Sequence, residues 1–165
     1  MKLATALALR PVPDWLPDWV KPFEGLHDGD PATAILEAKR DPVGFWTVGW
    51  GHLVTRDLLA PRPAPITMEE AEALLAADLA RAARAVLRLI RVSLTDGQYG
   101  ALIDFAYNAG AGNLEISTLR RVINRGDYAA APEQFMRWVH AGAVKLPGLV
   151  RRRNAEAKMY ASGAG

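Results

Sequence analysis

The spacing of apolar positions changes several times along the chain, and each change predicts an element. Trp15, Trp19 and Phe23 recur every fourth residue. That step predicts a short helix with an aromatic stripe turned to the core, Pro17 being tolerated near its start. Asp28 to Pro31 is turn-forming, and Ala32 to Ala38, with Ile35 and Leu36, reads as a short helix. At Asp41 the pattern becomes that of turns and strands. Asp41-Pro42-Val43-Gly44 reads as a turn, Phe45-Trp46-Thr47-Val48 as a strand, and Gly49-Trp50-Gly51 as a second tight bend. The β character runs to about Leu53, and the proline-rich stretch Ala60 to Pro65 reads as a connector.

Helical spacing returns at Thr67, where Thr67 and Glu70 have capping-box spacing. Ala71, Leu74, Leu75, Leu79, Ala82, Ala83, Val86, Leu87 and Ile90 then line one face of a long amphipathic helix. Thr95 and Gln98 repeat the capping box ahead of a helix apolar enough to be central, with Leu102, Ile103, Phe105 and Ala106, ended by Gly110 and Gly112. Ser117 starts a short helix that stops near Asn124 and Gly126. Asp127 is suited to cap a helix carrying Phe135 and Trp138, and Pro147-Gly148 opens a last, arginine-rich helix. Nothing after Ala60 suggests another sheet. The resulting expectation is an α+β fold in which a long helix joins a small lobe containing a β-hairpin to a larger helical lobe, with a cleft between them. The whole chain, 1–165, is expected to be one domain, its lobes dividing at about residue 66.

The segment from Phe23 to Thr55 carries the candidate chemistry. It brings an acid, Glu24, a second acid, Asp41, and a hydroxyl, Thr47, around the expected hairpin. Glycoside hydrolysis needs one carboxyl to protonate the leaving oxygen, and a second oxygen-bearing group to manage the attacking water or the developing positive charge. The setting of the three residues is more specific than their chemistry. Glu24-Gly25, then Asp41 with Thr47 six positions later in the string Thr47-Val48-Gly49-Trp50-Gly51-His52, resembles the phage-type lysozymes, the endolysins of glycoside hydrolase family 24. Further landmarks follow in family order: Leu94 to Gln98, Ala101 to Gly110, Ser117-Thr118-Leu119, Gly126-Asp127-Tyr128, Arg137-Trp138 and Leu146 to Arg153. The resemblance runs from about Val20 nearly to the end. One departure is the spacer between Glu24 and Asp41, sixteen residues here and usually half as long in the family. The extra residues, His27 to Ala34, suit either a flap beside the cleft or a tolerated surface insertion.

The resemblance implies a lysozyme-like fold and a muramidase that cleaves the β-1,4 bond between N-acetylmuramic acid and N-acetylglucosamine in peptidoglycan, without a cofactor, for bacterial lysis. It also implies catalytic roles for Glu24, Asp41 and Thr47. Glu24 would be the general acid, its proton held by partial burial, a nearby negative charge or the helix end. Asp41 would be the ionised partner, a role compatible with capping its own turn, and the Thr47 hydroxyl would orient a water between itself and Asp41. Water attack opposite Glu24 inverts the anomeric centre; a covalent intermediate on Asp41 is the rival path. Asn108 resembles a cleft-lining position, with helix capping as its alternative, and Tyr107 is suited to stack on a sugar ring. Trp50 and Trp138 could also stack, although core positions are the simpler reading for them. His52 is assigned a structural role: Asp78 falls on the apolar side of the long helix, where an unpaired carboxylate is costly, and an ion pair between them would join hairpin to helix.

Composition bounds the rest. A chain of 165 residues buries roughly 70% of its unfolded surface, enough for a self-sufficient core. It has no cysteine, and His27, His52 and His140 lack ligand spacing, so no metal site is expected. Lys and Arg number 20 against 18 Asp and Glu, but the positive charge gathers late, at Arg120, Arg121, Arg125, Arg137, Lys145 and Arg151 to Arg153. That distribution suits anionic envelope polymers, or else a solvated face with paired arginines; no nucleic-acid partner is expected. Lys2 followed by Leu3 to Leu9 resembles the start of an export signal, but the stretch is short and Arg10 and two prolines follow, so a non-cleaved leader into the first helix is the preferred reading. No segment reaches transmembrane length. The expected molecule is a monomer without stable membrane insertion, held in the host cytoplasm until release to the periplasm and cell wall. Two other classes fit less well: a lytic transglycosylase, which would not need the Asp41 and Thr47 pair, and a non-catalytic wall-binding domain.

Overall fold

The computed structural model describes residues 9–26 and 35–162. The expected flap, His27 to Ala34, and most of the Leu3 to Leu9 leader lie outside the described residues. The first helix, α1 (Leu16–Glu24), turns Leu16 and Val20 inward, both fully buried. The aromatic stripe flanks this face and is not itself the core: Trp15 is 37% exposed, and Trp19 and Phe23 lie against one another with ring centroids 4.7 Å apart. The four-residue step fits either register, and the smaller aliphatic side chains take the closed side.

The described residues of the β lobe form two antiparallel sheets. Strands β1 (Ile35–Leu36) and β5 (Ile66–Thr67) pair antiparallel, where a helix over Ala32 to Ala38 was expected. Leu36 is fully buried while Ile35 is 56% exposed, the two-residue alternation of a strand, and the pairing fixes it. Strands β2 (Lys39–Arg40), β3 (Trp46–Val48) and β4 (His52–Thr55) form an antiparallel sheet in that order, with Lys39 opposite Thr47 and Val48 opposite His52.

Helix α2 (Met68–Leu89) has 22 residues and extends for about 33 Å. Its capping box is formed in both directions: the Glu70 N–H donates to Thr67 Oγ1 at 3.1 Å, and Glu70 Oε2 accepts from the Thr67 N–H at 2.7 Å. Thr95 and Gln98 do the same for α3 (Asp96–Ala109). The helical lobe continues with α4 (Ala111–Ile116), α5 (Thr118–Asn124), a 3-10 turn over Tyr128–Ala130, α6 (Ala131–Phe135) and α7 (Pro147–Ser162). Gly110 ends α3, whereas Gly112 lies inside α4. Asp127 caps the 3-10 turn, and Trp138 falls beyond α6. A second hairpin, β6 (His140–Ala141) with β7 (Val144–Lys145), was not expected after Ala60; it turns at Gly142, whose φ of +59° suits glycine.

Helix α3 is the centre of the core. Tyr99, Leu102, Ile103 and Phe105 are fully buried, and α2 and α7 pack against it. The Tyr99 hydroxyl donates to the Arg10 carbonyl at 3.1 Å, and Arg10 donates to the Leu94 carbonyl at 2.8 Å, which ties the amino-terminal segment to the start of α3. The architecture is thus the expected α+β fold, with α2 running from the small lobe into the helical one. Among the described residues, no helix is long and apolar enough to cross a membrane.

Candidate active site

Glu24 is the last residue of α1, and Gly25 follows with a φ of +64° that turns the chain out of the helix. Its side chain, 18% exposed, lines a cavity of about 590 Å³ together with Phe23, Asn108, Pro147, Arg151 and Arg152. Its hydrogen-bonding partner is a cation: Arg152 Nη1 donates to Glu24 Oε1.

Arg152 belongs to a buried charge cluster between α3 and α7. Its Nε and Nη2 donate to the two oxygens of Asp104 at 2.8 and 2.5 Å, and Asp104 is fully buried. Burial opposes the Arg152 charge, but the hydrogen bonds and charges of Asp104 and then Glu24 outweigh it, so the guanidinium is held even more firmly protonated than usual. Arg153, also fully buried, donates from Nη1 to both Glu156 oxygens at 2.6 Å and from Nη2 to Asn108 Oδ1. Three carboxyls thus share two guanidinium groups. Burial pushes Glu156 well above the usual carboxylate range, its hydrogen bond with Asp104 adds to the effect, and Arg153 and Arg152 pull the other way.

Arg152 and Arg153 are thus paired, as one of the two sequence readings had it, but buried and not on a solvated face. The cluster also supplies site residues, Asp104 and Arg152 above all, that went unassigned in the sequence. Two signals for it were present: a charged residue inside the apolar run Leu102 to Ala106, and Glu156 three and four positions after the two arginines.

Asp41 and Thr47 are held by the hairpin. Asp41 Oδ1 accepts from the backbone N–H groups of Val43, Gly44 and Phe45 at 2.8 to 2.9 Å, so the capping role is real. Arg40 braces the same turn: its Nη1 donates to the Gly44 carbonyl at 2.5 Å and the Leu58 carbonyl at 3.2 Å, and its guanidinium lies 4.3 Å over the Trp46 ring. The Asp41 N–H donates to the Phe45 carbonyl at 2.9 Å, extending the ladder in which Lys39 faces Thr47. Asp41 thus follows directly on the strand that pairs with the one carrying Thr47. Thr47 is 5% exposed and its hydroxyl donates to the Lys39 carbonyl at 3.3 Å.

The remaining candidates divide. Asn108 shares the cavity with Glu24, its carbonyl oxygen occupied by Arg153, while Gly110 and not Asn108 caps α3. Tyr107 donates its hydroxyl to the Trp50 carbonyl at 2.9 Å, joining α3 to the hairpin, and burial pushes its phenol well above the usual range. Trp50 is buried, and Trp138 packs edge-on against Phe105. His52 Nδ1 lies 2.7 Å from Asp78 Oδ2, a hydrogen-bond contact between the hairpin and α2, and Arg81 adds a second contact at 3.1 Å to the other Asp78 oxygen. Among the described residues no group of His, Asp or Glu is arranged to hold a metal; His27 lies outside them.

Comparison with known proteins gives this geometry its context. The phage lysozyme family model matches residues 30–156, a span that includes Asp41, Thr47, Asp104 and Arg152 and begins just after Glu24. The chain is 41% identical over 130 residues to the SAR-endolysin of Enterobacteria phage PA-2, covering 79% of this chain and 76% of that protein. It is 35% identical over 147 residues to the endolysin of Acyrthosiphon pisum secondary endosymbiont phage 1, covering 87% and 92% of the two chains. The solved endolysin from Escherichia coli O157:H7 phage FAHEc1 superposes with a TM-score of 0.80 over 94% of this chain and 96% of its own, at 28% identity. The chain therefore belongs to the phage lysozyme family, and it is a glycoside hydrolase acting on bacterial peptidoglycan.

Proposed function

We propose that this hydrolase cuts the β-1,4 bond between N-acetylmuramic acid and N-acetylglucosamine, with Glu24 as general acid, Asp41 as the ionised partner and Thr47 as the residue that orients water. Glu24 gives its proton to the glycosidic oxygen as the bond from that oxygen to the anomeric carbon breaks. Water held by Thr47 and Asp41 attacks the opposite face of the same carbon and passes a proton to Asp41. The products are two glycan ends, and the proton later returns from Asp41 to Glu24 through solvent. The anomeric centre inverts.

The observation that carries this reading is the setting of Glu24: a carboxyl at a helix end, on the wall of an open cavity of about 590 Å³, with one charged hydrogen-bond partner among the described residues. Asp41 complements it, since three backbone N–H groups fix one carboxyl oxygen and leave the other to meet a water. On this reading the chain is a single-domain monomer, has no nucleic-acid partner, and waits in the host cytoplasm until it reaches the wall.

Mass spectrometry of products from purified sacculi tests the reaction. Muropeptides ending in reducing N-acetylmuramic acid are expected. Products ending in 1,6-anhydro-muramic acid would make the chain a transglycosylase, and products ending in reducing N-acetylglucosamine would move the cut to the other bond.

A further inference from the structure

Arg152 divides its donors unequally. Two of its N–H groups form a fork on Asp104, at 2.8 and 2.5 Å, and one reaches Glu24. A guanidinium devoted to Glu24 alone would hold that side chain as a carboxylate, the wrong form for a proton donor. Taking Glu24 as the general acid, we propose that Asp104 is a positioning residue for catalysis. Its fork commits most of the Arg152 charge to α3 and fixes an Nη1 N–H on Glu24, orienting the carboxyl without locking it in its ionised form.

Among the described residues, the surroundings of Glu24 leave this task to Asp104. From α7 the facing charged groups are Arg151 and Arg152, with Arg153 and Glu156 behind them. From α3 they are Asp104 and Tyr107, the latter feeling the charges of Glu24, Asp78, Arg152 and Asp104. On its own helix, Lys21 is committed to Asp18 at 3.0 Å and Glu72 at 2.8 Å. Glu156 lies 4.0 Å from Arg152 and is engaged by Arg153. Among the described residues Asp104 is therefore the carboxylate that competes most directly with Glu24 for Arg152, and its fully buried position keeps water from weakening its hold.

The sign of the effect follows. Removing the Asp104 charge takes a negative group away from Glu24 and frees Arg152 to serve it, and both changes favour the ionised form. In Asp104→Asn, Glu24 should thus lose its proton at lower pH, and the alkaline limb of the pH-rate profile should move to lower pH with it. Asp104→Glu, which keeps the charge, should stay near wild type. A role confined to structure would lower the melting temperature and the rate without moving the limb.

The test is a carbon-13 NMR titration of the full chain, with the Glu24 carboxyl signal assigned by its loss in Glu24→Gln, run beside the pH-rate profile on cell walls. The expected result for Asp104→Asn is a Glu24 midpoint lowered by about one pH unit or more, with a matching shift of the alkaline limb. The double variant Asp104→Asn/Glu156→Gln closes the route by which Glu156 could ionise in compensation. Asp104→Ser, neutral and with room for a water, serves if the Asn variant does not fold. A Glu24 midpoint at or above the wild-type value in the folded neutral variants overturns the proposal, even with Glu24→Gln inactive and the general-acid reading intact. A lowered midpoint with an unmoved alkaline limb instead removes Glu24 as the acid.

Discussion

Gly49 lies against Ala71 so closely that a Cβ built on the glycine would stand 2.9 Å from the Ala71 Cβ. This contact sets the β-hairpin on the first turns of α2, and Gly49 meets a second demand there with a φ of +60°. Gly49→Ala combines a left-handed backbone with an overlap against a buried residue, so a loss of about 2 to 4 kcal/mol is expected. Urea unfolding of the two proteins measures it, and a loss below about 0.5 kcal/mol would show that hairpin and helix separate easily.

His52 and Asp78 hold the same junction one strand later. The pair is mostly buried, with side chains 24% and 10% exposed. Asp78→Asn keeps the shape but removes the charge that His52 and Arg81 share, and should cost about 1.5 to 3 kcal/mol. Wall-clearing rate per folded molecule should persist. A folded Asn variant that is stable but inactive would give the pair a chemical role in place of a structural one.

Glu156 predicts a pH dependence of stability. Burial raises its folded-state pKa above the unfolded value, so the folded protein binds more protons than the unfolded chain at every pH between the two. Stability from this group is greatest below the unfolded carboxyl pKa and falls as pH rises toward the folded one. Glu156→Gln removes the titration. The difference in melting temperature between variant and wild type should therefore move in favour of the variant as pH rises from about 4 toward 7. A constant difference would mean that Glu156 is as ionised in the fold as out of it.

What could be read from sequence was what is local in sequence. The capping boxes at Thr67 and Thr95, the turn at Asp41 and the stop at Gly110 each depend on residues within four positions, and they formed as expected. The choice between the Trp15 stripe and the Leu16 and Val20 face was not local, because the same four-residue step fits both and only packing against the rest of the core decides it. The β6 and β7 hairpin has two-residue strands, too short for any alternation to register. Arg152 and Asp104 are 48 residues apart and meet only through the packing of α7 on α3. The triplet Arg151 to Arg153 therefore read as surface charge, though only Arg151 is exposed. Glu24, Asp41 and Thr47 were picked out by chemistry and family spacing, but the arginine beside Glu24 could be seen only in three dimensions.

The central claim is that Glu24 supplies the proton, and Glu24→Gln tests it most directly. Glutamine preserves the size of the side chain and can still accept from Arg152, so the fold and the cavity should be retained. Such an amide has no proton to give. The initial rate of reducing-end release from purified sacculi, normalised to folded protein, should fall by about 100-fold to 10,000-fold. A folded Gln variant that keeps more than about a tenth of the wild-type rate would contradict the account.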